Sequence, residues 1–175
     1  MCILEFEVAL MKHLNFRQNM IVSNVHWGLV LGGKPMHECD LLMLTRNNYA
    51  TEIEIKTSKK DLVKDRQKTH GHNHDFIKYL YFAVPAYLVQ FAYDEIPPRA
   101  GLYAIQKPKP GKSLSTVELI RHATTNPNTK QWTEKQKARL SRLAMMRLYT
   151  HKKVILRHQK EVKKYAKRLL KKESD

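Results

Sequence analysis

The sequence has few cysteines and lacks any long apolar run. Its 175 residues include two cysteines, Cys2 and Cys39, which are too few for a disulfide framework or a zinc site built on cysteine. No apolar stretch approaches the roughly 20 residues that cross a bilayer. Glu5 and Glu7 interrupt the apolar N-terminal segment, whereas the apolar part of a signal peptide is continuous. We therefore expect a reduced, cytoplasmic protein with no membrane contact.

Acidic residues are also scarce relative to basic ones. The chain has 32 Lys and Arg against 16 Asp and Glu, a formal net charge of +16. A small domain of this charge repels itself, and its commonest compensation is a polyanionic partner such as nucleic acid. Hydrophobic residues make up 42% of the chain, which is typical of a globular domain and excludes a disordered chain.

The basic excess is concentrated at the C-terminal end. Residues 133–175 hold 15 Lys and Arg against 4 Asp and Glu. Thr133 and Gln136 fit a capping box, and no Gly or Pro follows before Lys172. An imperfect apolar stripe predicts one long helix or two helices with a bend. This helical segment is either a solvated helix that docks by one face or an arm that contacts phosphates. We predict a core over residues 1–125 and a basic helical extension over residues 133–175.

The apolar patterning of the core predicts an α/β (α+β) fold. Amphipathic spacing indicates a helix over residues 3–15, and a second helix between residues 57 and 79 begins at a Ser58–Asp61 N-cap pair. This order of elements predicts a mixed β-sheet flanked by helices. The predicted strands are 20–25, 38–45, 50–57 and 79–84, with weaker candidates at 101–106 and 116–121.

Charged side chains occur on two neighbouring predicted strands. Glu52, Glu54 and Lys56 alternate with apolar residues and therefore share one face. Asp40 lies in the preceding, mostly apolar strand. One interpretation is the exposed polar face of a half-buried sheet. The other interpretation is a functional site. A helix follows directly after Lys56, so both faces of the sheet are expected to be covered. Carboxylates on a covered face have strongly perturbed pKa values unless a cation lies among them.

The spacing of these residues resembles the Asp…Glu-x-Lys signature of the PD-(D/E)XK nuclease superfamily. Asp40 is followed by thirteen residues and then by Glu54-Ile55-Lys56. The predicted order of helix, three strands, helix and strand also fits. The runs EIEIKTSKKDLVKDRQK and IKYLYFAVP look like small phage-type and DNA-repair-type members, and the resemblance covers roughly residues 3–105. Cys39 stands where the family often has Pro, and Glu161-Val-Lys163 is a second Glu-x-Lys outside this strand context. The resemblance implies a restriction-endonuclease-like core and metal-dependent hydrolysis of DNA phosphodiester bonds.

The resemblance also implies roles for individual residues. Mg²⁺ or Mn²⁺ prefers oxygen ligands, and Asp40, Glu54 and the carbonyl of Ile55 would supply them. The metal would activate a water for attack on phosphorus, and Lys56 would orient that water and stabilise the developing charge. Glu7 is a candidate for the helical acid that family members often add, its alternative being a glutamate that reaches solvent.

Candidate nucleic-acid contacts lie on two predicted helices. Gln67 or Lys68, on the helix after the signature, would touch the scissile phosphate, the alternative being a solvated helix face. In the basic extension we expect phosphate contacts from exposed lysines. These are Lys163, Lys164, Lys167 and Lys171.

The loop between the two signature strands tests this hypothesis. A two-residue turn at Asn47-Asn48 would place Asp40 opposite Ile55 and away from the face of Glu54. A loop of three or five residues, or a bulge, would place Asp40 opposite Glu54. The site therefore requires an odd loop, with Asn47 or Asn48 in the left-handed region.

Other features leave alternatives open. His70, His72 and His74 have metal-like spacing, but the segment is more typical of a polar loop near the cleft than of a zinc site. Besides the nuclease, the sequence allows a non-catalytic nucleic-acid-binding protein with a nuclease-like fold, or a basic adaptor whose C-terminal helix binds a protein. It does not distinguish DNA from RNA, endonuclease from exonuclease, or monomer from dimer.

Overall fold

The computed structural model describes residues 2–25, 30–31, 34–35, 38–66, 72 and 74–172. The chain divides into two compact units, residues 1–140 and residues 141–175. The helices are α1 (Ile3–His13), α2 (Lys59–Arg66), α3 (Val89–Glu95) and α4 (Glu134–Lys172). The strands are β1 (Met20–Val25), β2 (Val30–Leu31), β3 (Lys34–Pro35), β4 (Cys39–Leu44), β5 (Ala50–Ile55), β6 (Ile77–Pro85), β7 (Gly101–Gln106) and β8 (Thr116–Arg121).

Six strands form one mixed sheet in the order β1-β4-β5-β6-β7-β8. The central β5, β6 and β7 run parallel to one another, while β1, β4 and β8 join as antiparallel neighbours. Strands β2 and β3 form a separate two-stranded sheet. The predicted α/β (α+β) class, with a mixed sheet flanked by helices, is confirmed.

Helices cover both faces of this sheet. On one face Phe6 and Leu10 of α1 pack with Ile53 and Ile55 of β5. On the other face Leu62 of α2 packs in one cluster with residues of α3 and β6. All six residues of β5 are consequently buried, so the face that carries Glu52 and Glu54 is covered rather than open to solvent.

The β4–β5 hairpin has the odd loop that the site requires. Five residues, 45–49, separate the two strands, and the backbone N–H of Thr45 donates to the carbonyl of Tyr49 at 3.0 Å. Asn48 adopts the left-handed conformation with φ of 59°, which Asn tolerates better than most residues. The strands pair Leu41 with Ile53, and the same register continued by one residue places Asp40 opposite Glu54.

The capping predictions hold at two helices. The Ser58 Oγ accepts from the backbone N–H of Asp61 at 3.2 Å, and the same hydroxyl donates to the Asp61 carboxylate at 2.7 Å. At the start of α4 the backbone N–H of Gln136 donates to Thr133 Oγ1 at 3.3 Å, and the Gln136 amide oxygen accepts from the Thr133 N–H at 2.8 Å. From this cap α4 runs as a single helix to Lys172.

The first unit extends beyond the predicted sheet into the start of α4. Trp132 is fully packed, and its indole N–H donates to the carbonyl of Phe76 at 2.9 Å. Leu140 is also buried. No helix among the described residues is long and apolar enough to span a membrane.

Candidate active site

The carboxylate of Asp40 is fixed at the point where β4 and β5 end their pairing. Its Oδ2 accepts a hydrogen bond from the backbone N–H of Ile55 at 2.7 Å. At the N-terminal end of β4 the last residue pair between the two strands is Leu41 and Ile53. Beyond this pair, the Asp40 side chain replaces a backbone carbonyl as the acceptor of the Ile55 N–H. The hydrogen bond holds Asp40 beside the carboxyl end of β5, where Glu54 lies.

Lys56 lies between two carboxylates. Its Nζ is 2.5 Å from Glu54 Oε2 and 2.8 Å from Asp65 Oδ1 of α2. The Lys56 side chain is 9% exposed, and those of its partners are less exposed still. Burial by itself lowers the pKa of Lys56, but the charges and hydrogen bonds of Glu54 and Asp65 outweigh it and raise the pKa above its ordinary value. Lys56 is therefore an ammonium held in place on two sides.

His72 joins two further carboxylates to this arrangement. Its Nδ1 is 2.5 Å from Glu52 Oε1, and its Nε2 is 2.7 Å from Asp65 Oδ2. Burial lowers the pKa of His72, but the hydrogen bonds to Asp65 and Glu52 outweigh it and raise the pKa to about 9. At neutral pH the ring is an imidazolium that donates from both nitrogens. Arg99 holds the backbone here, because its Nη2 donates to the His72 carbonyl at 2.7 Å.

The site as a whole has an excess of negative charge. Burial raises the pKa of Glu54; Lys56 lowers it, while the nearby Asp40 and Glu52 charges raise it further. Four carboxylates and two cations meet here, which gives a formal charge of −2 when all are ionised. A divalent cation would compensate this charge. The six groups are Asp40, Glu52, Glu54, Asp65, Lys56 and His72.

The oxygen donors suit Mg²⁺ or Mn²⁺ better than a zinc-type ion. Glu52, Glu54 and His72 have ligand atoms within 4.8 Å of one another. However, both nitrogens of His72 already contact carboxylates, one at 2.5 Å, whereas two ligands sharing one octahedral Mg²⁺ lie about 3 Å apart. Asp40 and Glu54 offer a second pair of neighbouring carboxylates, and Mg²⁺ is usually bound by one or two carboxylates together with water and phosphate.

The remaining residues that the sequence suggested for the site do not all lie near Asp40 and Glu54. Glu7 is buried on α1, and its Oε1 accepts from the Asn24 side-chain amide at 3.3 Å, so a role in the site stays a prediction. Gln67, Lys68 and His70 lie outside the described residues. His74 is not part of the His72 cluster: its Nδ1 accepts from the N–H of Phe76 at 3.3 Å and its ring packs on that residue.

The candidate phosphate contacts of the second unit lie on α4. Lys163 and Lys164 are exposed. Lys167 and Lys171 belong to the same helix, and their side chains lie outside the described residues.

Sequence reasoning missed the roles of Asp65 and His72. Asp65 lies three residues after Leu62, and both are buried, so this charged residue occupies the core face of a short helix. The three-residue spacing from Leu62 is the sequence feature that could have indicated a buried Asp65. His72 lies in a segment without periodicity, and nothing in its local pattern indicates burial between two carboxylates.

No family model matches the chain, and no curated protein is similar to it. Among solved structures, it is similar to the SPO1766 protein of unknown function from Silicibacter pomeroyi. The two are 17% identical over 82% of this chain and 83% of that one, with a TM-score of 0.53. At this identity the likeness shows a common fold and does not bear on activity.

Proposed function

We propose that this protein is a metal-dependent nuclease of the PD-(D/E)XK type that hydrolyses DNA phosphodiester bonds. The observation that supports it most is the register of the β4–β5 hairpin, which brings Asp40 opposite Glu54, with Lys56 on the same covered face. Asp40, Glu54 and the Ile55 carbonyl hold Mg²⁺ or Mn²⁺ in this proposal. The restriction-endonuclease-like character of the core and a cytoplasmic location belong to the same proposal.

A bound divalent cation lowers the pKa of its water to yield a nucleophile and offers positive charge to the phosphate. The chain supplies the remaining functions. The Ile55 N–H fixes Asp40 in one orientation. Lys56 Nζ donates to Glu54 Oε2 at 2.5 Å and forms an ion pair with Asp65 Oδ1 at 2.8 Å. Because an ammonium has three hydrogens, Lys56 can also donate to the attacking water or to a phosphate oxygen, where charge develops in the transition state.

The charge of the basic C-terminal segment supports DNA as the partner. Lys and Arg outnumber Asp and Glu by 15 to 4 over residues 133–175, and Lys163 and Lys164 are exposed on α4. The same charge also supports the alternative, a nucleic-acid-binding protein that keeps the fold without turnover. Metal-dependent cleavage separates the two, because both proteins would bind DNA.

The test is cleavage of linear, nicked, single-stranded and branched DNA with Mg²⁺ or Mn²⁺. We expect Asp40→Ala, Glu54→Ala and Lys56→Ala each to abolish cleavage while DNA binding persists, because all three serve one metal-centred step and such effects are not additive. The matched control is Glu161→Ala, in the second Glu-x-Lys of the chain, which should leave the turnover number unchanged. Metal-dependent cleavage retained in any two of the three site variants would falsify the site.

A further inference from the structure

Five buried side chains of alternating charge form a continuous chain of ion pairs that ends at Glu54, one of the proposed metal ligands. In order they are Glu52, His72, Asp65, Lys56 and Glu54. We call this set the ion-pair chain. Its four contacts measure 2.5 Å (Glu52–His72), 2.7 Å (His72–Asp65), 2.8 Å (Asp65–Lys56) and 2.5 Å (Lys56–Glu54).

Lys56 does not depend on Glu54 alone for its position. In the proposed function Glu54 is a metal ligand, and its Oε2 lies 2.5 Å from Lys56 Nζ, so the metal and the ammonium would share this carboxylate. Asp65 gives Lys56 a second carboxylate, which lies on α2 rather than on β5. Asp65 would therefore hold Lys56 near the reacting phosphate while Glu54 also serves the metal.

Asp65 can serve this purpose because a second cation holds it. Its Oδ2 contacts His72, while its Oδ1 contacts Lys56. Glu52 in turn holds the other nitrogen of His72. With both ends of the imidazolium engaged, the ring is fixed in the plane that aims Nε2 at Asp65, and the carboxylate of Asp65 is fixed in the orientation that meets Lys56.

We propose that Asp65 is a positioning residue for Lys56, and that His72, fixed by Glu52, sets the orientation of Asp65. The inference rests on the proposed function, in which Lys56 acts on the water or the phosphate. Neither Asp65 nor His72 belongs to the Asp…Glu-x-Lys signature. Asp65 and His72 affect the turnover number through Lys56 and do not affect the binding of metal or DNA.

The experiment compares Asp65→Asn, His72→Gln and the double variant in full-length protein, with the turnover number and KM measured on DNA and Mg²⁺ affinity measured by calorimetry. Each single variant should lower the turnover number about 10- to 100-fold, the usual effect of losing an outer-shell partner, with KM for DNA unchanged. The double variant should be no slower than Asp65→Asn, because both residues act through one lysine. Asp94→Asn, at an exposed acid of α3, is the matched control and should retain the parental rate.

Metal affinity separates positioning from simple structural damage. His72→Gln removes a positive charge from the site, so Mg²⁺ should bind no more weakly than to the parent although turnover falls. A damaged site would lose turnover and metal affinity together. If His72→Gln does not fold, Glu52→Gln/His72→Gln preserves the charge balance and carries the same prediction.

Three outcomes overturn the inference while leaving the proposed function intact: parental turnover in Asp65→Asn, a matched loss of turnover and Mg²⁺ affinity in His72→Gln, or additive losses in the double variant. A parent protein without metal-dependent cleavage would instead remove the proposed function, and the inference with it.

Discussion

Among single residues, His72 has surroundings that change its charge at neutral pH. An exposed histidine is mostly neutral at pH 7, but the His72 side chain is 2% exposed and lies between Glu52 and Asp65. Burial opposes its charge, and the two carboxylates more than restore it, so the pKa rises to about 9. The ring is thus a cation at neutral pH, which a sequence pattern alone does not indicate.

The raised pKa makes stability depend on pH in a defined direction. The native state holds the His72 proton more tightly than the unfolded chain, so the stabilisation is complete below the ordinary value of 6.5 and is lost as pH rises to about 9. For the metal-free protein we expect the free energy of unfolding to fall across this window by at most about 3 kcal/mol, the equivalent of the shift. Urea unfolding at several pH values measures it.

His72→Gln should remove this slope and lower stability at neutral pH, because Glu52 and Asp65 lose their shared cation. His151→Gln, at an exposed position of α4, should retain the slope. If the parent and His72→Gln show the same pH dependence between the two pKa values, His72 is not the charged group described here.

The relative positions of the signature residues could be predicted from the sequence. Strand periodicity places Glu52, Glu54 and Lys56 on one face, and the odd-loop requirement then places Asp40 opposite Glu54 without knowledge of any long-range contact. The positions of Asp65 and His72 depend on how α2 and His72 pack against β5, which local periodicity does not encode.

Among the elements, those with strong periodicity or clear caps were predicted and those without were not. The six strands of the main sheet and the helices α1, α2 and α4 occur where the patterns place them, with small differences at the ends. Helix α3 was missed because seven residues give too few turns for a 3.6-residue period. The two-residue strands β2 and β3 are likewise too short to show alternation.

The β4–β5 loop allows a test of the element that sets the register. Asn48 has a φ of 59°, a conformation that costs most residues roughly 1–2 kcal/mol. Asn48→Ala should therefore be less stable than Asn48→Gly by about 1 kcal/mol, since glycine adopts this φ without strain. Both variants lose the 3.4 Å contact of the Asn48 amide with Glu134, so their difference in chemical denaturation reports the backbone alone.

Asn47→Ala and Asn47→Gly are the matched pair at the neighbouring position, which is not among the residues with positive φ. There alanine should be at least as stable as glycine. Equal stability of Asn48→Ala and Asn48→Gly would mean that the left-handed residue does not set the loop.

For the whole molecule, the proposed function implies that affinity for DNA and cleavage of DNA depend on different parts of the chain. The signature lies in the first unit, and the densest basic segment continues into the second. Each lysine that neutralises a phosphate releases counterions and contributes about −0.9 to the log–log salt slope on duplex DNA. The basic helix should thus set how tightly DNA binds, and the sheet should set whether it is cut.

Charge reversal at Lys163 and Lys164 tests this division. The double Glu variant should bind DNA more weakly and flatten the salt slope by about 2, with turnover at saturating DNA little changed. Reversal of Lys109 and Lys112, exposed in the β7–β8 loop, changes the net charge equally and serves as the control. Equal salt slopes for the parent and the α4 variant would remove α4 from the DNA interface and favour a protein partner for it.

The central claim is that Asp40 and Glu54 bind a divalent cation, and its most direct test does not depend on knowing the right DNA substrate. A ligand that binds only the native state raises its stability, and a metal also relieves the repulsion among the site's carboxylates. The measurement is the melting temperature with EDTA and with Mg²⁺ or Mn²⁺, for the parent and for Asp40→Ala/Glu54→Ala. We predict that metal raises the melting temperature of the parent and leaves that of the double variant unchanged; an equal rise in both proteins would place the metal elsewhere and contradict the account.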